Sequence, residues 1–375
     1  MRIAFLVERP TQFEAPFYRF ASRDREHELR VLFTGGLGVA EPVFDPELGT
    51  SVSWGIDLLG GYSWELCPRQ DAKQWLAERL RPERCDLLIA NGYTQPVYRM
   101  GARLARRAGV STALRLDSVR FAGSVARDLA KRLLFTLYLK RSFDLFFGVG
   151  TLTLDYLRFF HVPEERTGLF PYAVDVEDFA RRSLLATEER AAVRSRLGVP
   201  AKARVILSLA KLSPREAPWD LLRAFAGMAA DADDLWLVLA GDGPDRAALE
   251  QEAGPRTVFP GYVPYPELPA LYAAADLFVH PAREERWGVS VQEALACGLP
   301  VVTSSRVGAA RDLIVSGRNG FTYRAGDDAE LAERISQTLL LPPEEVRRFN
   351  QSLLDRWDYA ASWQGIIRRA HSILH

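Results

Sequence analysis

The feature that most constrains the fold is a series of short apolar runs separated by amphipathic stretches with helical spacing. The runs lie at 3–7, 29–33, 87–90, 112–116, 145–149 and 169–172 in the first half of the chain, and at 205–209, 235–239, 257–259, 277–280 and 300–303 in the second. Runs without polar alternation are typical of strands buried on both faces, and helices between them indicate parallel sheets. The sequence therefore predicts an α/β protein.

A break in this pattern divides the chain. A polar stretch, 183–197, is predicted to be helical, and a new strand begins at Arg204. A chain of 375 residues is also longer than one ordinary core. We therefore predict two doubly wound, Rossmann-like domains with parallel sheets. Because ligands in such folds bind beyond the carboxyl ends of the strands, we expect a site in a cleft between the two sheets.

Charge and cysteine content exclude some classes of partner. The 48 basic side chains balance the 48 acidic ones, so nucleic acid is not an expected partner. The three cysteines form no ligand cluster with histidine, which disfavours zinc and fits reduced thiols in a cytoplasmic protein. The first apolar run ends at Glu8, too early for a signal peptide, and no run approaches the roughly 20 residues of a membrane span.

The segment 275–302 carries the strongest chemical signal. It is predicted to form a strand, a loop containing Glu285, a helix beginning near Val289, and a second strand. Gly288 lets the backbone approach a ligand closely, and the start of the helix offers free N–H groups to an anion. Glu293 follows about one turn into this helix.

Glu285 and Glu293, with Trp287-Gly288 between them, resemble the E-x7-E signature of the retaining glycosyltransferases of family 4, which have the GT-B fold. Other segments resemble family segments in the same order: 241–244, 261–263, 306–313 and 317–321. The resemblance implies an N-terminal acceptor-side domain (1–180), a C-terminal nucleotide-sugar domain (181–357), and a final helix (358–375) that crosses back to the first domain.

The resemblance also implies roles for individual residues. Glu285 would hydrogen-bond hydroxyls of the donor sugar, and Glu293 would accept hydrogen bonds from the ribose, because a carboxylate can accept two hydroxyls. The other expected donor-binding residues are Lys211, Arg215, Gly288, Val289, Ser290, Tyr262, Val263, Gly308 and Ala309. The donor would be a UDP-, GDP-, ADP- or dTDP-sugar, with no metal required.

One position departs from the family pattern. Lys211 occupies the first of two cationic positions that hold the donor diphosphate, but Glu216 stands where the second cation is expected, one residue after Arg215. Positive charge there stabilises the leaving diphosphate. Three interpretations stay open: Arg215 replaces the missing cation while Glu216 faces solvent, Glu216 recruits a divalent metal, or donor turnover is weakened.

The first domain offers candidates for the acceptor side. Thr11 and Gln12 follow the first strand, and Asn91 and Tyr93 follow a later one. Asp117, at the end of the next strand, is the candidate catalytic residue near the reacting sugar, although capping of the following loop is an equal alternative. His280, at a strand end, is interpreted as a packed residue rather than a base.

The stretch from Arg127 to Arg141 mixes basic and apolar residues. A basic amphipathic helix of this kind binds anionic membrane surfaces, whereas the alternative is an ordinary surface helix whose apolar face packs in the core. The first interpretation would place the protein on the inner face of the membrane and would suit a lipid-linked acceptor.

These observations predict a retaining glycosyltransferase that transfers a sugar from a nucleotide-diphosphate donor to the hydroxyl of a glycan, a lipid-linked or a small-molecule acceptor. Two alternatives remain. Glu216 suggests a catalytically weakened, sugar-nucleotide-binding partner subunit, and the GT-B fold is also compatible with an epimerase.

Overall fold

The computed structural model describes residues 1–35, 43–45, 50–52, 55–68, 70–121, 124–172, 174–185, 187–230 and 232–374. Its strands are β1 (Arg2–Val7), β2 (Glu28–Phe33), β3 (Val43–Asp45), β4 (Thr50–Val52), β5 (Ser63–Leu66), β6 (Leu87–Asn91), β7 (Ser111–Leu116), β8 (Leu145–Gly148), β9 (Thr167–Leu169), β10 (Arg204–Leu209), β11 (Leu235–Ala240), β12 (Thr257–Gly261), β13 (Leu277–His280), β14 (Val301–Ser304) and β15 (Gly320–Tyr323).

The α-helices are α1 (Glu14–Ala21), α2 (Ala72–Arg79), α3 (Pro96–Arg107), α4 (Val125–Leu134), α5 (Lys140–Ser142), α6 (Thr151–Phe159), α7 (Val176–Arg182), α8 (Thr187–Arg196), α9 (Pro218–Ala229), α10 (Arg246–Glu252), α11 (Leu268–Ala274), α12 (Val289–Ala296), α13 (Gly308–Leu313), α14 (Asp328–Thr338), α15 (Pro343–Leu354) and α16 (Tyr359–Leu374). A π-helical turn, Phe135–Leu139, joins α4 to α5, and 3-10 turns occur at Glu164–Arg166 and Tyr265–Glu267.

The chain divides into two compact units. The first comprises Met1–Glu41, Asp57–Ala173 and Trp357–His375, and the second comprises Pro42–Ile56 and Val174–Arg356. Within the described residues, the first unit holds a parallel sheet with the strand order β5-β2-β1-β6-β7-β8-β9. The sheet of the second unit has the order β12-β11-β10-β13-β14-β15 and is also parallel. The predicted class, two doubly wound parallel-sheet domains, is confirmed.

Burial on both faces explains why the strand signal was so clear. Ile3 to Val7 of β1 are all buried, because alternate side chains pack into the helix layers on opposite faces of the sheet. Strands with weaker apolar runs were missed, among them β5 and β15, whose middle residues are only half-buried. The run predicted at 169–172 is displaced, since β9 ends at Leu169.

The terminal helix α16 packs on the first unit. Trp363, Ile366 and Ala370 lie in the same core as β1 and β2, and the Trp363 indole donates a hydrogen bond to Asp24 Oδ2 at 2.7 Å. The polar stretch predicted as one helix over 183–197 is helical only from Thr187. Among the described residues, no helix combines the length and apolar character needed to cross a membrane.

Candidate functional site

The strand order of the second sheet changes direction between β10 and β13, which are hydrogen-bonded neighbours. Beyond β10 the chain enters a loop, 210–217, that carries Lys211, Arg215 and Glu216, and beyond β13 it enters a loop, 281–288, that carries Glu285. Both loops leave the carboxyl edge of the sheet side by side. This is the position where open α/β sheets bind ligands.

Backbone contacts fix these two loops against each other. The Arg283 N–H of the second loop donates to the Arg215 carbonyl of the first at 2.8 Å. The Leu212 N–H of the first loop also donates to the Asp242 carbonyl, in the turn after β11, at 2.9 Å. The first loop ends at Ala217, which has a left-handed conformation (φ 53°) immediately before α9. This conformation costs a residue with a side chain about 1–2 kcal/mol.

The arginine at this edge contacts two carboxylates. Arg215 Nη2 lies 2.6 Å from Glu216 Oε1, and Arg215 Nη1 lies 3.3 Å from Glu285 Oε2. The Arg215 side chain is 52% exposed, whereas that of Glu216 is only 5% exposed. A solvent-facing Glu216, as one interpretation of the sequence assumed, is therefore wrong: the carboxylate is buried and salt-bridged to its neighbour.

His280, the last residue of β13, lies beside Glu216. Its imidazole is buried and lies parallel to the Phe278 ring, which agrees with its interpretation as a packed residue. Its Nε2 lies 3.9 Å from Glu216 Oε2. Burial lowers the pKa of His280 to about 4; the charge of Glu285 opposes this shift and that of Arg215 adds to it. The ring is therefore neutral at physiological pH.

Two glycines shape the loop around Glu285. Gly288 has a φ of 96° at the start of α12, a conformation that side chains disfavour. At Gly308 a Cβ would collide with the backbone carbonyl of Arg286. The backbone N–H of Gly308 donates to the Glu285 carbonyl at 3.0 Å, and that of Ala309 donates to the Trp287 carbonyl at 2.7 Å. The Glu285 N–H also donates to the Arg306 carbonyl at 3.0 Å, so strand-like contacts hold both backbone groups of Glu285.

Glu293 lies inside α12 and is buried. Its carboxylate accepts a hydrogen bond from the Tyr272 hydroxyl at 2.8 Å. Desolvation raises the pKa of Glu293 to about 7, although the hydrogen bond from Tyr272 opposes the shift. Val289 and Ser290 form the first turn of the same helix, where backbone N–H groups have no partner within the helix.

The remaining donor-side candidates border the same edge of the second sheet. Tyr262 and Val263 directly follow β12 and are half-buried, and burial raises the pKa of Tyr262. Lys211 is half-buried two residues beyond β10. The ten predicted donor-binding residues and Glu285 thus all belong to the second unit.

The predicted acceptor-side residues belong to the first unit, where two of them contact a buried ion pair that the sequence did not reveal. Arg115 Nη1 lies 2.6 Å from Glu14 Oε1, and both side chains are almost fully buried. Thr11 Oγ1 accepts from the Glu14 N–H at 3.2 Å, and Asn91 Nδ2 donates to Glu14 Oε1 at 3.4 Å. Thr11 and Asn91 therefore position Glu14 in this structure.

The other first-unit candidates differ in their surroundings. Asp117 Oδ2 accepts a hydrogen bond from the Tyr172 hydroxyl at 3.0 Å. Tyr93 is half-buried, and burial raises its pKa. Gln12 is half-buried, and its Oε1 makes no hydrogen bond to a described residue. Gln12, Tyr93 and Asp117 all follow strands of the first sheet at its carboxyl edge.

The sequence profile of the family described as glycosyl transferases group 1 matches residues 189–353, the stretch that contains both glutamates and both strands of the switch point. The match covers less than half of the 375-residue chain. The Glu285 and Glu293 pair thus lies within the stretch that matches this family.

Curated relatives match part of the chain. A GDP-mannose-dependent alpha-mannosyltransferase of Mycobacterium tuberculosis is 34% identical over 60% of this chain and 57% of its own. A GDP-mannose-dependent alpha-(1-6)-phosphatidylinositol monomannoside mannosyltransferase of Mycolicibacterium smegmatis is 30% identical over 50% of this chain and 52% of its own. The chain thus spans about half the length of the curated relatives it matches.

Similarity to solved structures extends over the whole chain. The HepE protein of Anabaena, solved in complex with UDP, has a TM-score of 0.74 and 20% identity, with 99% of this chain and 100% of that chain covered. At this identity the likeness shows the fold alone. Together with the two parallel sheets, it shows that the chain has the GT-B fold, as the sequence predicted.

Sequence reasoning did not identify the grouping of His280 with Glu216 and Glu285, or the pairing of Glu14 with Arg115. His280 was read as packing alone, and Glu14 and Arg115 were not considered as a pair. Glu14 and Arg115 are 101 positions apart, so no local pattern connects them. The usable signal was topological, because Glu14 follows β1 and Arg115 lies near the end of β7, and only β6 separates these two strands in the sheet.

Proposed function

We propose that the chain is a retaining glycosyltransferase that transfers a sugar from a nucleotide-diphosphate donor to an acceptor hydroxyl. The observation that carries this proposal is the grouping of Arg215, Glu285, Gly288 and Glu293 around the switch point of the second sheet, within the group 1 domain. Cations, a hydroxyl-binding carboxylate and free helix N–H groups are the chemistry that a sugar diphosphate requires.

The roles follow the order of groups in the donor. Glu285 accepts hydrogen bonds from sugar hydroxyls, while backbone groups around Gly288, Val289 and Ser290 meet sugar or phosphate oxygens. Gly308 and Ala309 bring backbone close to the diphosphate. Glu293 accepts the ribose hydroxyls, and Tyr262 and Val263 border the base.

Lys211 and Arg215 supply positive charge to the diphosphate. The Arg215 guanidinium is half exposed and contacts Glu285, so it stands at the carboxylate that is proposed to bind the sugar. A side chain with this exposure can change partners when a diphosphate arrives, and bidentate guanidinium–phosphate pairing is favourable. Electrostatic stabilisation of the leaving diphosphate would then come from both cations.

A catalytically weakened donor-binding subunit is the second candidate. Glu216 and Glu285 together offset the charge of Arg215, which lowers the attraction that the loop exerts on a diphosphate. Such a protein would bind nucleotide sugars without turning them over, so binding and turnover must be measured separately.

The first unit would hold the acceptor. Gln12, Tyr93 and Asp117 lie at the carboxyl edge of its sheet, and Asp117 is the candidate for contact with the reacting hydroxyl. One curated relative is named a phosphatidylinositol monomannoside mannosyltransferase. This supports a lipid-linked glycan among the acceptor classes to test, beside soluble glycans and small molecules.

An exposed apolar stripe supports contact with a membrane and hence a lipid-linked acceptor. Val125, Leu129, Leu133 and Leu137 recur at every fourth position along α4 and the following π-helical turn, and each is more than half exposed. Arg127, Arg132 and Arg141 in the same stretch are also exposed. An apolar stripe beside cations fits an anionic lipid surface, where the apolar side chains enter the boundary layer and the cations meet headgroups.

The donor test is calorimetric binding of UDP, GDP, ADP and dTDP, followed by turnover of the matching nucleotide sugars. GDP and UDP come first, because a curated relative is named GDP-mannose-dependent and a structural neighbour was solved with UDP. Binding of one diphosphate with sugar transfer supports the proposal, and proton NMR of the product anomer tests retention. Binding without turnover supports the subunit alternative, and absence of binding contradicts both.

The membrane test is co-sedimentation with vesicles of anionic phospholipid. The double variant Leu129→Glu/Leu133→Glu should lose binding, whereas Leu340→Glu, which changes an exposed leucine in the second unit, should keep it. Equal binding of both variants would contradict the proposed surface.

A further inference from the structure

Three potential metal ligands converge beside the switch point of the second sheet. Glu216, His280 and Glu285 each offer one ligand atom, and these atoms all lie within 4.8 Å of one another. The residues come from the loop after β10, the end of β13 and the loop after β13. No two of them share a helix turn, so the grouping arises from the topology of the sheet.

His280 is an independent indication of a ligand. The residue is 3% exposed, and neither ring nitrogen makes a hydrogen bond to a described residue. Buried polar atoms normally have a partner, because an unpaired buried group costs about 1–3 kcal/mol. Its Nε2 lies 3.9 Å from the Glu216 carboxylate, too far for a hydrogen bond but suited to two ligands of one ion. Metal coordination would compensate that cost.

We propose that Glu216, His280 and Glu285 bind a divalent transition-metal ion in competition with Arg215. One imidazole and two carboxylates form a mixed nitrogen and oxygen donor set, which suits Mn²⁺ or Zn²⁺ better than Mg²⁺, an ion that prefers oxygen ligands. Three protein ligands leave coordination positions open to water or to a substrate oxygen.

Competition follows from the contacts of Arg215. Its guanidinium contacts carboxylate oxygens of both Glu216 and Glu285, so it neutralises the same two ligands that an ion would use. A bound divalent ion would displace the guanidinium, whose exposed position lets it move without unfolding the loop. The ion would also bring positive charge to the position where the family resemblance expects a second cation.

The inference does not rest on the proposed transferase activity, because metal binding is measured without nucleotide or acceptor. It revises the sequence-based expectation that no metal is needed, and it gives Glu216 a role that the family pattern does not supply. A carboxylate in place of the expected lysine at position 216 would then exchange a cationic side chain for a ligand of a metal cation.

The test is titration of the purified chain with Mn²⁺, followed by the electron paramagnetic resonance signal of the free ion. Wild-type protein should bind one ion, and Glu216→Gln and His280→Asn should each weaken binding at least tenfold. Arg215→Gln should strengthen binding several-fold, because it removes the competing cation. If the cluster were merely structural, substitutions of Glu216 and of Arg215 would not change the affinity for Mn²⁺ in opposite directions.

Two further measurements keep the test decisive if a buried variant misfolds. The electron spin echo of Mn²⁺ bound to wild-type protein should show coupling to an imidazole nitrogen. Glu284→Gln removes an exposed carboxylate beside the site and should leave the affinity unchanged. No binding by wild type, no nitrogen coupling, an equal loss in Glu284→Gln, or no gain in Arg215→Gln would each overturn the proposal.

Discussion

Each sheet has an arginine and a glutamate in contact near its carboxyl edge, yet the two pairs differ in exposure. In the first unit Arg115 is 3% exposed, and in the second unit Arg215 is 52% exposed. Arg115 contacts Glu14 and donates to the carbonyls of Phe170 and Pro171 at 3.2 and 2.7 Å. Arg215 instead contacts two carboxylates on adjoining loops.

This difference separates an arginine with fixed partners from one that can change partners. The guanidinium of Arg115 lies over the rings of Phe170 and Tyr172, so every side of it has a fixed partner. A buried charge with fixed partners cannot turn to a ligand without leaving Glu14 uncompensated. Arg215 pays no comparable penalty for moving, and its two carboxylates can take other cations.

The largest expected effect is on stability in the first unit. Arg115→Met should lower the free energy of unfolding by about 3–5 kcal/mol, because it leaves the Glu14 carboxylate buried and unpaired. Urea unfolding measures the change. The double variant Glu14→Gln/Arg115→Met should recover most of the loss, since no buried charge remains. A loss in the double variant as large as in the single one would show that packing, rather than charge, is responsible.

The second prediction concerns Glu285, where a substitution should lower activity and leave stability nearly unchanged. Glu285→Gln should lower kcat for sugar transfer about 100- to 1000-fold, the usual consequence of removing one well-placed polar group from an active site. Its carboxylate is partly exposed, so the free energy of unfolding should change little. Glu284→Gln, the adjacent exposed carboxylate, should keep wild-type kcat. Equal loss in both variants would contradict a specific role.

The contrast between the two pairs also shows what the sequence could predict. The strands of the two cores were readable because burial on both faces leaves uninterrupted apolar runs such as β1 and β10. Glu285 and Glu293 were readable because their spacing along one loop and helix is local. Glu14 and Arg115 were not, because only the sheet order brings them together.

The sequence could not show the environment of Glu216 either. Its position in the loop was clear, but whether it faced solvent depended on the left-handed turn at Ala217 and on the contact between Arg215 and Arg283. The exposed apolar stripe of α4 was hidden for a related reason. Apolar residues cluster throughout that stretch, and only the helix geometry separates buried Phe135 and Leu139 from exposed Leu133 and Leu137.

A third prediction compares the buried glutamates of the two units. Glu14 is paired with Arg115, whereas no described cation pairs with Glu293, and burial raises the pKa of Glu293 to about 7. An acid whose pKa is raised in the folded state favours folding in its protonated form. The unfolded chain releases this proton near pH 4.5, so the free energy of unfolding should fall as the pH rises from 4.5 to 7.

The size of this fall should be on the order of 2–3 kcal/mol, relative to Glu293→Gln, which cannot release the proton. Thermal unfolding at a series of pH values measures the difference between the two proteins. Identical pH profiles would show that Glu293 is ionised in the free protein, and its pKa would then be ordinary.

The smallest expected effect is on stability and concerns the backbone at Ala217, which directly follows Arg215 and Glu216. Ala217 has a φ of 53°, where a side chain is unfavourable and glycine is not. Ala217→Gly should raise the free energy of unfolding by about 0.5–1 kcal/mol, because relief of the unfavourable conformation exceeds the added freedom of the unfolded chain. Ala226→Gly, at an exposed position inside α9, should instead lower it by about 1 kcal/mol. Equal destabilisation by both variants would show that Ala217 does not adopt this conformation in solution. The contacts of Arg215 with Glu216 and Glu285, which depend on the path of this loop, would then differ as well.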